Sequence, residues 1–85
     1  MKIEFSEQAN ADLEYFAKKD KKILIRIRDL LKNIEDSPYH GIGKPEPLRY
    51  QLSGYWSRRI NKEHRLVYKV ESNTIKVISC RFHYS

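Results

Sequence analysis

The residues of this chain whose types and spacing could do chemistry lie mainly in its second half. Glu46 is the only acidic residue between Lys44 and Lys62. A carboxylate beside fixed positive charge stays ionised, as a general base must. His83 lies near the end of the sequence, and imidazole titrates near neutral pH, so this residue can donate a proton. Glu46 and His83 therefore indicate acid–base chemistry.

Arginines in the same half of the chain could bind phosphate. Arg59 and Arg65 carry planar, permanently charged guanidinium groups that can hold two phosphate oxygens at once. Metal-free RNA cleavage needs a base for the 2′-hydroxyl and an acid for the leaving 5′-oxygen. It also needs cations for the charge on the phosphorus oxygens. The chain contains all three kinds of group, so RNA cleavage is a candidate reaction.

Each candidate also has a purely structural interpretation. Glu46 could pair with Lys44 or Arg49 inside a loop, and His83 could be an ordinary exposed histidine. The run Trp56–Arg59 could be sheet core followed by a solvated edge, because tryptophan usually serves packing. The residues alone indicate a basic nucleic-acid-binding protein and leave catalysis open.

The charge is distributed unevenly along the chain. Residues 1–37 hold eight Lys and Arg against eight Asp and Glu, whereas residues 38–85 hold nine against three. The whole net charge of +6 therefore arises in the second half. This asymmetry favours a polyanionic partner there, although a solvated basic face without a ligand would have the same composition.

Composition also limits the class of protein. With 85 residues, we expect a single domain over 1–85. The single cysteine, Cys80, allows no internal disulfide, and the three histidines have no neighbouring cluster of metal ligands, so we expect no metal and no cofactor. No apolar run reaches the roughly 18 residues of a membrane span, and no signal-peptide pattern is present. We expect a cytoplasmic protein without membrane contact.

Two helices are predicted after a short strand over residues 2–5. Ser6 can cap the first helix and Asp20 the second, and Pro38 ends the second. The predicted apolar side of the first helix consists of Ala9, Leu13, Phe16 and Ala17. That of the second consists of Ile23, Ile27, Leu30, Leu31 and Ile34. We expect these helices to support the site and to carry no chemistry.

The period then changes from helical to alternating. Strands are predicted over Leu48–Leu52, Tyr55–Ile60, Arg65–Val70 and Thr74–Tyr84, separated by short turns. The order β-α-α-β-β-β-β indicates the α+β class, with two helices packed on one face of a mainly antiparallel sheet.

Two helices cover one face of such a sheet, and alternation predicts what the open face carries. We assume that the apolar residues Leu66, Ile78 and Cys80 face the helices. Arg65, Arg81 and His83 then share the open face. Arginines beside a histidine on one face could bind a phosphodiester backbone.

Four ordered blocks of the sequence resemble the YoeB toxins, which belong to the RelE/ParE superfamily and have a RelE-like fold. The blocks are Lys-Pro-Glu-Pro-Leu at 44–48, Leu-Ser-Gly-Tyr-Trp-Ser-Arg-Arg-Ile at 52–60, Glu-His-Arg-Leu-Val-Tyr at 63–68 and Cys-Arg-Phe-His-Tyr at 80–84. The similarity covers essentially the whole chain. Position 49 departs from it, because Arg stands where the family commonly has Lys.

The resemblance implies a metal-independent mRNA endoribonuclease with Glu46 as general base and His83 as general acid. It assigns phosphate binding and charge neutralisation to Arg65 and Arg59, and substrate positioning to Tyr84. The expected products are a 2′,3′-cyclic phosphate and a 5′-hydroxyl. We add three further cations as candidates for binding the RNA backbone: Lys44, Arg49 and Arg81.

The resemblance also implies partners. It predicts a cognate YefM-like antitoxin that masks the site, a 70S ribosome carrying mRNA in its A site, and a homodimer. Operator DNA would be bound only together with the antitoxin, as a repressor of the pair's own operon. Two rival functions share the fold or the charge: a gyrase-poisoning toxin of the same superfamily, and a module that binds RNA without cutting it. The former lacks the Glu/His pair that this chain contains.

Overall fold

In a computed structural model, which describes residues 1–82, two helices follow one another with a single residue between them. Helix α1 spans Glu7–Lys19 and helix α2 spans Lys21–Asp36. The side-chain oxygens of Ser6 and Asp20 each accept a hydrogen bond from a backbone N–H in the first turn of the helix that follows. These N–H groups have no partner inside the helix, so the caps satisfy them. The predicted helix starts are confirmed.

The buried faces of the helices match the prediction unevenly. All five predicted apolar residues of α2 are buried. In α1, Ala9 and Phe16 are buried and Leu13 is partly buried, but Ala17 is exposed, so its assignment to the core is wrong. The buried face of α1 instead includes Asp12. Residues 9, 12 and 16 follow the helical repeat, which turns Ala17 away from the sheet.

Five strands form one mixed sheet. They are β1 (Lys2–Phe5), β2 (Glu46–Pro47), β3 (Trp56–Arg59), β4 (Arg65–Glu71) and β5 (Thr74–Ser79). Their spatial order is β1-β5-β4-β3-β2, with β1 parallel to β5 and the other neighbours antiparallel. The predicted α+β class, with two helices on a mainly antiparallel sheet, is confirmed.

The strand predicted over Leu48–Leu52 is wrong. Strand β2 is only two residues long and precedes that range, and Tyr50–Leu52 forms a 3-10 turn. Pro47 has no N–H for a ladder, which limits β2 to a short edge strand. Tyr50 has a φ of 59°, a left-handed conformation that turns the chain away from the sheet.

The last strand is shorter than the predicted Thr74–Tyr84, because β5 ends at Ser79. The next residue, Cys80, donates its backbone N–H to the buried carboxylate of Asp12 (2.9 Å) instead of to a neighbouring strand. Phe82 then adopts a left-handed φ of 63°. At Cys80, a side chain of α1 therefore replaces the neighbouring strand as the hydrogen-bond acceptor.

A β-bulge explains which side chains of β5 reach the core. Val67 pairs with Ser79 while Tyr68 pairs with Val77, so Ile78 is the extra residue. Val77 and Cys80 lie in the core between sheet and helices, whereas Ile78 does not. The prediction that Ile78 faces the helices is wrong.

Candidate nucleic-acid interface and catalytic site

One row of side chains crosses four strands on the sheet face opposite the helices. Successive pairs in the register connect Glu46, Ser57, Val67 and Ser79. Leu66 and Tyr68 of β4 belong to the core, so alternation places this row on the other face. Its last three members are small and buried, and the Glu46 carboxylate is exposed at its end. The row forms a floor with one acidic end.

Two arginines lie beside this floor. Arg59 and Arg65 are directly opposite each other on β3 and β4, two residues along from Ser57 and Val67. Directly opposed side chains of an antiparallel pair have Cβ atoms about 4.5–5.5 Å apart, and diagonal neighbours lie within about 7–8 Å of each other. Glu46 and Arg59 are diagonal neighbours, because Glu46 pairs with Ser57. The sheet therefore brings three predicted site residues, Glu46, Arg59 and Arg65, to one side.

The two arginines form a pair of like charges. Within residues 1–82, neither makes an ion pair with a carboxylate. Arg65 is half-buried, and its Nη1 donates to the backbone carbonyls of Asn61 (3.0 Å) and His64 (3.2 Å). These bonds hold one edge of the guanidinium in place. Directly opposed like charges destabilise a sheet, and an anion bound between them would remove that cost.

Glu46 is flanked along the chain by Lys44 and Arg49, and all three residues are exposed. The sequence left open whether Glu46 pairs with one of these cations. In the part of the chain that the structure describes, it forms no ion pair with either. An exposed carboxylate without an internal ion pair is accessible to a substrate hydroxyl.

Arg81 is not on the open face, and its predicted placement there is wrong. Its guanidinium carbon lies 3.5 Å from the centroid of the Tyr15 ring, which belongs to α1. This stacking on an aromatic face holds Arg81 on the helix side. The other two predicted terminal site residues, His83 and Tyr84, lie outside the described residues.

Arg58 is a buried arginine, although the sequence pattern predicted no role for it. It is fully buried, and it makes five hydrogen bonds. Its guanidinium donates to the carbonyls of Ser37 (2.6 Å), His40 (2.9 Å) and Ile42 (3.1 Å), and to the side-chain oxygen of Asn33. The alternation of β3, which places residue 58 on the face opposite to its neighbour at 59, was the signal that could have revealed it.

These bonds fix the loop that leads from α2 to Glu46. Gly43 in this loop accepts a hydrogen bond from the backbone N–H of Arg59 (2.6 Å). A Cβ added to Gly43 would lie 2.9 Å from a methyl carbon of Leu30, and its φ is 81°. Glycine is needed here because the loop passes tightly between α2 and β3. The position of β2, and hence of Glu46, depends on this contact.

Tyr68 completes the buried network. Its hydroxyl donates to the carbonyl of Pro38 (2.7 Å) and accepts a hydrogen bond from Nε of Arg58 (3.2 Å). Burial raises the pKa of Tyr68 above the ordinary value for tyrosine, although Arg58 opposes the shift. The phenol therefore stays neutral and can donate its hydrogen bond to the carbonyl of Pro38.

Among residues 1–82, no three His, Cys, Asp or Glu side chains are grouped so that they could hold a metal ion. None of the helices in this part of the chain combines the length and apolar character needed to cross a membrane.

Fold and site together define a small, basic α+β protein whose open sheet face presents a carboxylate beside two arginines, neither of which pairs with a carboxylate of residues 1–82. The chain belongs to the family of YoeB-like toxins of bacterial type II toxin–antitoxin systems, whose family model matches residues 5–84. It is 57% identical over 84 residues to "Toxin YoeB" of a Synechocystis strain, with 99% of this chain and 98% of the relative covered.

Two solved structures from Staphylococcus aureus are similar to this chain. A YoeB dimer is 53% identical, with a TM-score of 0.93, and the match covers 99% of this chain and 98% of that one. A heterotetrameric complex of YoeB with YefM is also 53% identical, with a TM-score of 0.91 and the same coverage.

Proposed function

We propose that this toxin is a ribosome-dependent endoribonuclease that cleaves mRNA in the A site and so inhibits translation. The observation that carries the proposal is the shared placement of Glu46, Arg59 and Arg65 on the open face. A carboxylate diagonal to a pair of like-charged arginines fits a reaction in which a hydroxyl loses a proton and a phosphate gains charge.

The proposed reaction is an internal transesterification. Glu46 removes the proton from a 2′-hydroxyl, whose oxygen attacks the adjacent phosphorus. The bond from phosphorus to the 5′-oxygen breaks, and His83 gives its proton to that oxygen. The products are a 2′,3′-cyclic phosphate and a 5′-hydroxyl, and no cofactor takes part. Arg65 and Arg59 bind the phosphate oxygens and oppose the charge that builds on them.

The remaining candidates have supporting roles in this proposal. Tyr84 positions the substrate, as the resemblance to the family implies. Lys44 and Arg49 are exposed on either side of Glu46, where they can contact the RNA backbone. Arg81 is not included, because its stacking on Tyr15 turns it away from this face.

The proposed partners follow from the relatives. Because the S. aureus relative was solved both as a dimer and with YefM, we propose that this chain forms a homodimer and binds a YefM-like antitoxin. The antitoxin would mask the basic face, and the complex would bind operator DNA and repress its own operon. The site of action would be the cytoplasm, where the ribosomes are.

The decisive experiment uses purified 70S ribosomes programmed with a short message. The chain should cut the message in the A site, and Glu46→Gln and His83→Gln should each reduce the rate by about 10²–10⁴-fold. Glu71→Gln is the matched control for the first variant: Glu71 is an exposed carboxylate that pairs with Lys69 and Lys76. His40→Gln, an exposed loop histidine, is the control for the second.

Three outcomes would overturn the proposal. Both catalytic variants could cut at the wild-type rate, which would refute the acid–base assignment. The wild-type chain could bind programmed ribosomes without cutting the message, which would support an RNA-binding module. It could instead inhibit gyrase while the message stays intact, which would support the rival toxin activity.

A further inference from the structure

The backbone of Phe82 is held on both sides by two consecutive residues. The Phe82 N–H donates to Nδ1 of the His64 ring (2.7 Å), and the Phe82 carbonyl accepts from the backbone N–H of Arg65 (2.9 Å). Phe82 has the left-handed φ of 63°, in which its N–H cannot continue the sheet ladder. An imidazole nitrogen replaces the missing ladder acceptor.

The His64 ring is buried and contacts three other side chains. It is 6% exposed, and it packs against the ring of Phe16 at 5.0 Å and that of Phe82 at 5.6 Å between centroids. Its Nε2 lies 3.3 Å from a carboxylate oxygen of Glu63. Because a backbone N–H can only donate, Nδ1 of His64 is the acceptor in this bond, and the other ring nitrogen faces Glu63.

Two other contacts hold the residues that precede Phe82. The Cys80 N–H is bonded to Asp12, and the Arg81 guanidinium is stacked on Tyr15. Both contacts attach the segment to α1. The bonds from His64 and Arg65 attach it to the start of β4 instead, at the last described residue before His83. The carbonyl of Phe82 belongs to the peptide bond that joins it to His83.

We propose that His64 is a positioning residue, which holds the carboxyl-terminal segment against β4 so that the general acid meets the phosphate bound by Arg65. This inference rests on the proposed ribonuclease function. His64 acts through its Nδ1 lone pair on the Phe82 N–H and does not touch the RNA. The adjacent Arg65 belongs to the proposed phosphate site. His64 and Arg65 would therefore together set the distance between the proposed general acid and the bound phosphate.

Two amide substitutions separate the acceptor from the ring. In His64→Asn, the side-chain oxygen can take the place of Nδ1 and accept the Phe82 N–H. In His64→Gln, the longer amide reaches the position of Nε2 and leaves no acceptor at Nδ1. Both variants lose the aromatic ring, so a difference between them reports the hydrogen bond and not the packing.

Two measurements are made on each variant. Hydrogen exchange of the Phe82 amide, followed by NMR on the full chain, reports the bond without any reference to activity. The single-turnover rate on saturated programmed ribosomes, with the concentration for half-saturation, reports its consequence. His40→Gln, an exposed loop variant, is the control for both.

We expect His64→Gln to lose protection of the Phe82 amide and to cut about 10²-fold more slowly, because a displacement of about 1 Å costs this much. Half-saturation should stay unchanged, since the RNA contacts remain. His64→Asn should restore protection and most of the rate. Equal loss of rate in both variants would overturn the proposal in favour of ring packing, and a wild-type rate in His64→Gln would overturn it outright. If the wild-type chain cuts no message, the proposed ribonuclease function is wrong. If the Phe82 amide of the wild-type chain is unprotected, the proposed hydrogen bond from Phe82 to His64 is wrong as well.

Discussion

Replacing Arg58 with alanine should destabilise the fold far more than replacing its neighbour Arg59. Arg58 is fully buried and reaches the carboxyl-terminal end of α2, whose last turn contains no basic residue of its own. The carbonyls there carry a partial negative charge that a cation stabilises. Arg58 supplies that cation from β3, through Ser37 at the helix cap and His40 in the loop.

The size of the effect follows from these bonds. A hydrogen bond to a charged group contributes about 1.5–3 kcal/mol, and losing even two without replacement costs about 3–6 kcal/mol. A chain of this length has a total stability of about 4–13 kcal/mol. The melting temperature of such a small domain falls by about 4–8 °C for each kcal/mol lost, so a drop of at least about 12 °C is expected. Arg59→Ala should stay within about 0.5 kcal/mol of the wild type, because that side chain is exposed.

Urea unfolding followed by circular dichroism, at one fixed protein concentration, measures both variants. The concentration is held constant because dimerisation would add to the apparent stability. Arg58→Lys should lie between the wild type and Arg58→Ala, since an ammonium keeps the charge but cannot reach acceptors in five directions. An Arg58→Ala midpoint within the error of Arg59→Ala would refute the reasoning, because the buried bonds would then contribute nothing net.

Two further predictions concern the site and the core. Arg65→Ala should lower the single-turnover cleavage rate by about 10²-fold or more while ribosome affinity falls only slightly, and Arg65→Lys should rescue part of the rate; collapsed affinity with a normal rate on saturated ribosomes would make Arg65 a docking residue. Burial, followed by the Asp12 charge, raises the pKa of Cys80 from 9.0 to about 12. The buried neutral thiol therefore contributes fully to the free energy of unfolding below pH 9, and this contribution is lost as the pH rises towards 12. At pH 8, iodoacetamide should modify Cys80 at least about 10²-fold more slowly in the folded chain than in urea. Equal rates of modification in the two states would contradict this.

The helices were predictable because their signals are local. Ser6 and Asp20 act on N–H groups within three residues of themselves, and the apolar stripe of α2 depends only on the helical repeat. The sheet class was predictable for the same reason, since alternation and turn residues lie next to each other in the chain. Ala17 was placed wrongly because a second residue, Asp12, competes for the same buried face of α1.

The errors in the strands come from contacts between residues far apart in sequence. The end of β5 depends on Asp12, which is 68 residues away from Cys80 and takes its N–H. Arg81 was assigned to the open face by continuing an alternation that the bulge and the end of β5 interrupt. Neither the bulge nor the stacking of Arg81 on Tyr15 has a local signal in the sequence.

Within the site, residue type was informative and placement was not. Glu46, Arg59 and Arg65 were identified from their chemistry, and the register of three strands brings them to one face. The sequence could not distinguish Arg58 from Arg59 by type, although one is buried in the fold and the other lies exposed at the site. The two arginines are distinguished only by which face of β3 packs against the helices.

The chain segments that lead to the two proposed acid–base groups are irregular, and this explains why two basic residues beside them are buried. Glu46 follows a loop and belongs to a two-residue strand, and His83 follows a segment that has left the sheet. Such segments have few ladder bonds of their own to hold them. Arg58 reaches from β3 into the loop before Glu46, and His64 reaches from the start of β4 to the backbone before His83. Each replaces missing main-chain bonds with side-chain bonds from the rigid centre of the sheet. The two anchors should therefore differ in their effects: loss of Arg58 should lower stability and activity together, whereas loss of the His64 acceptor should lower activity more than stability.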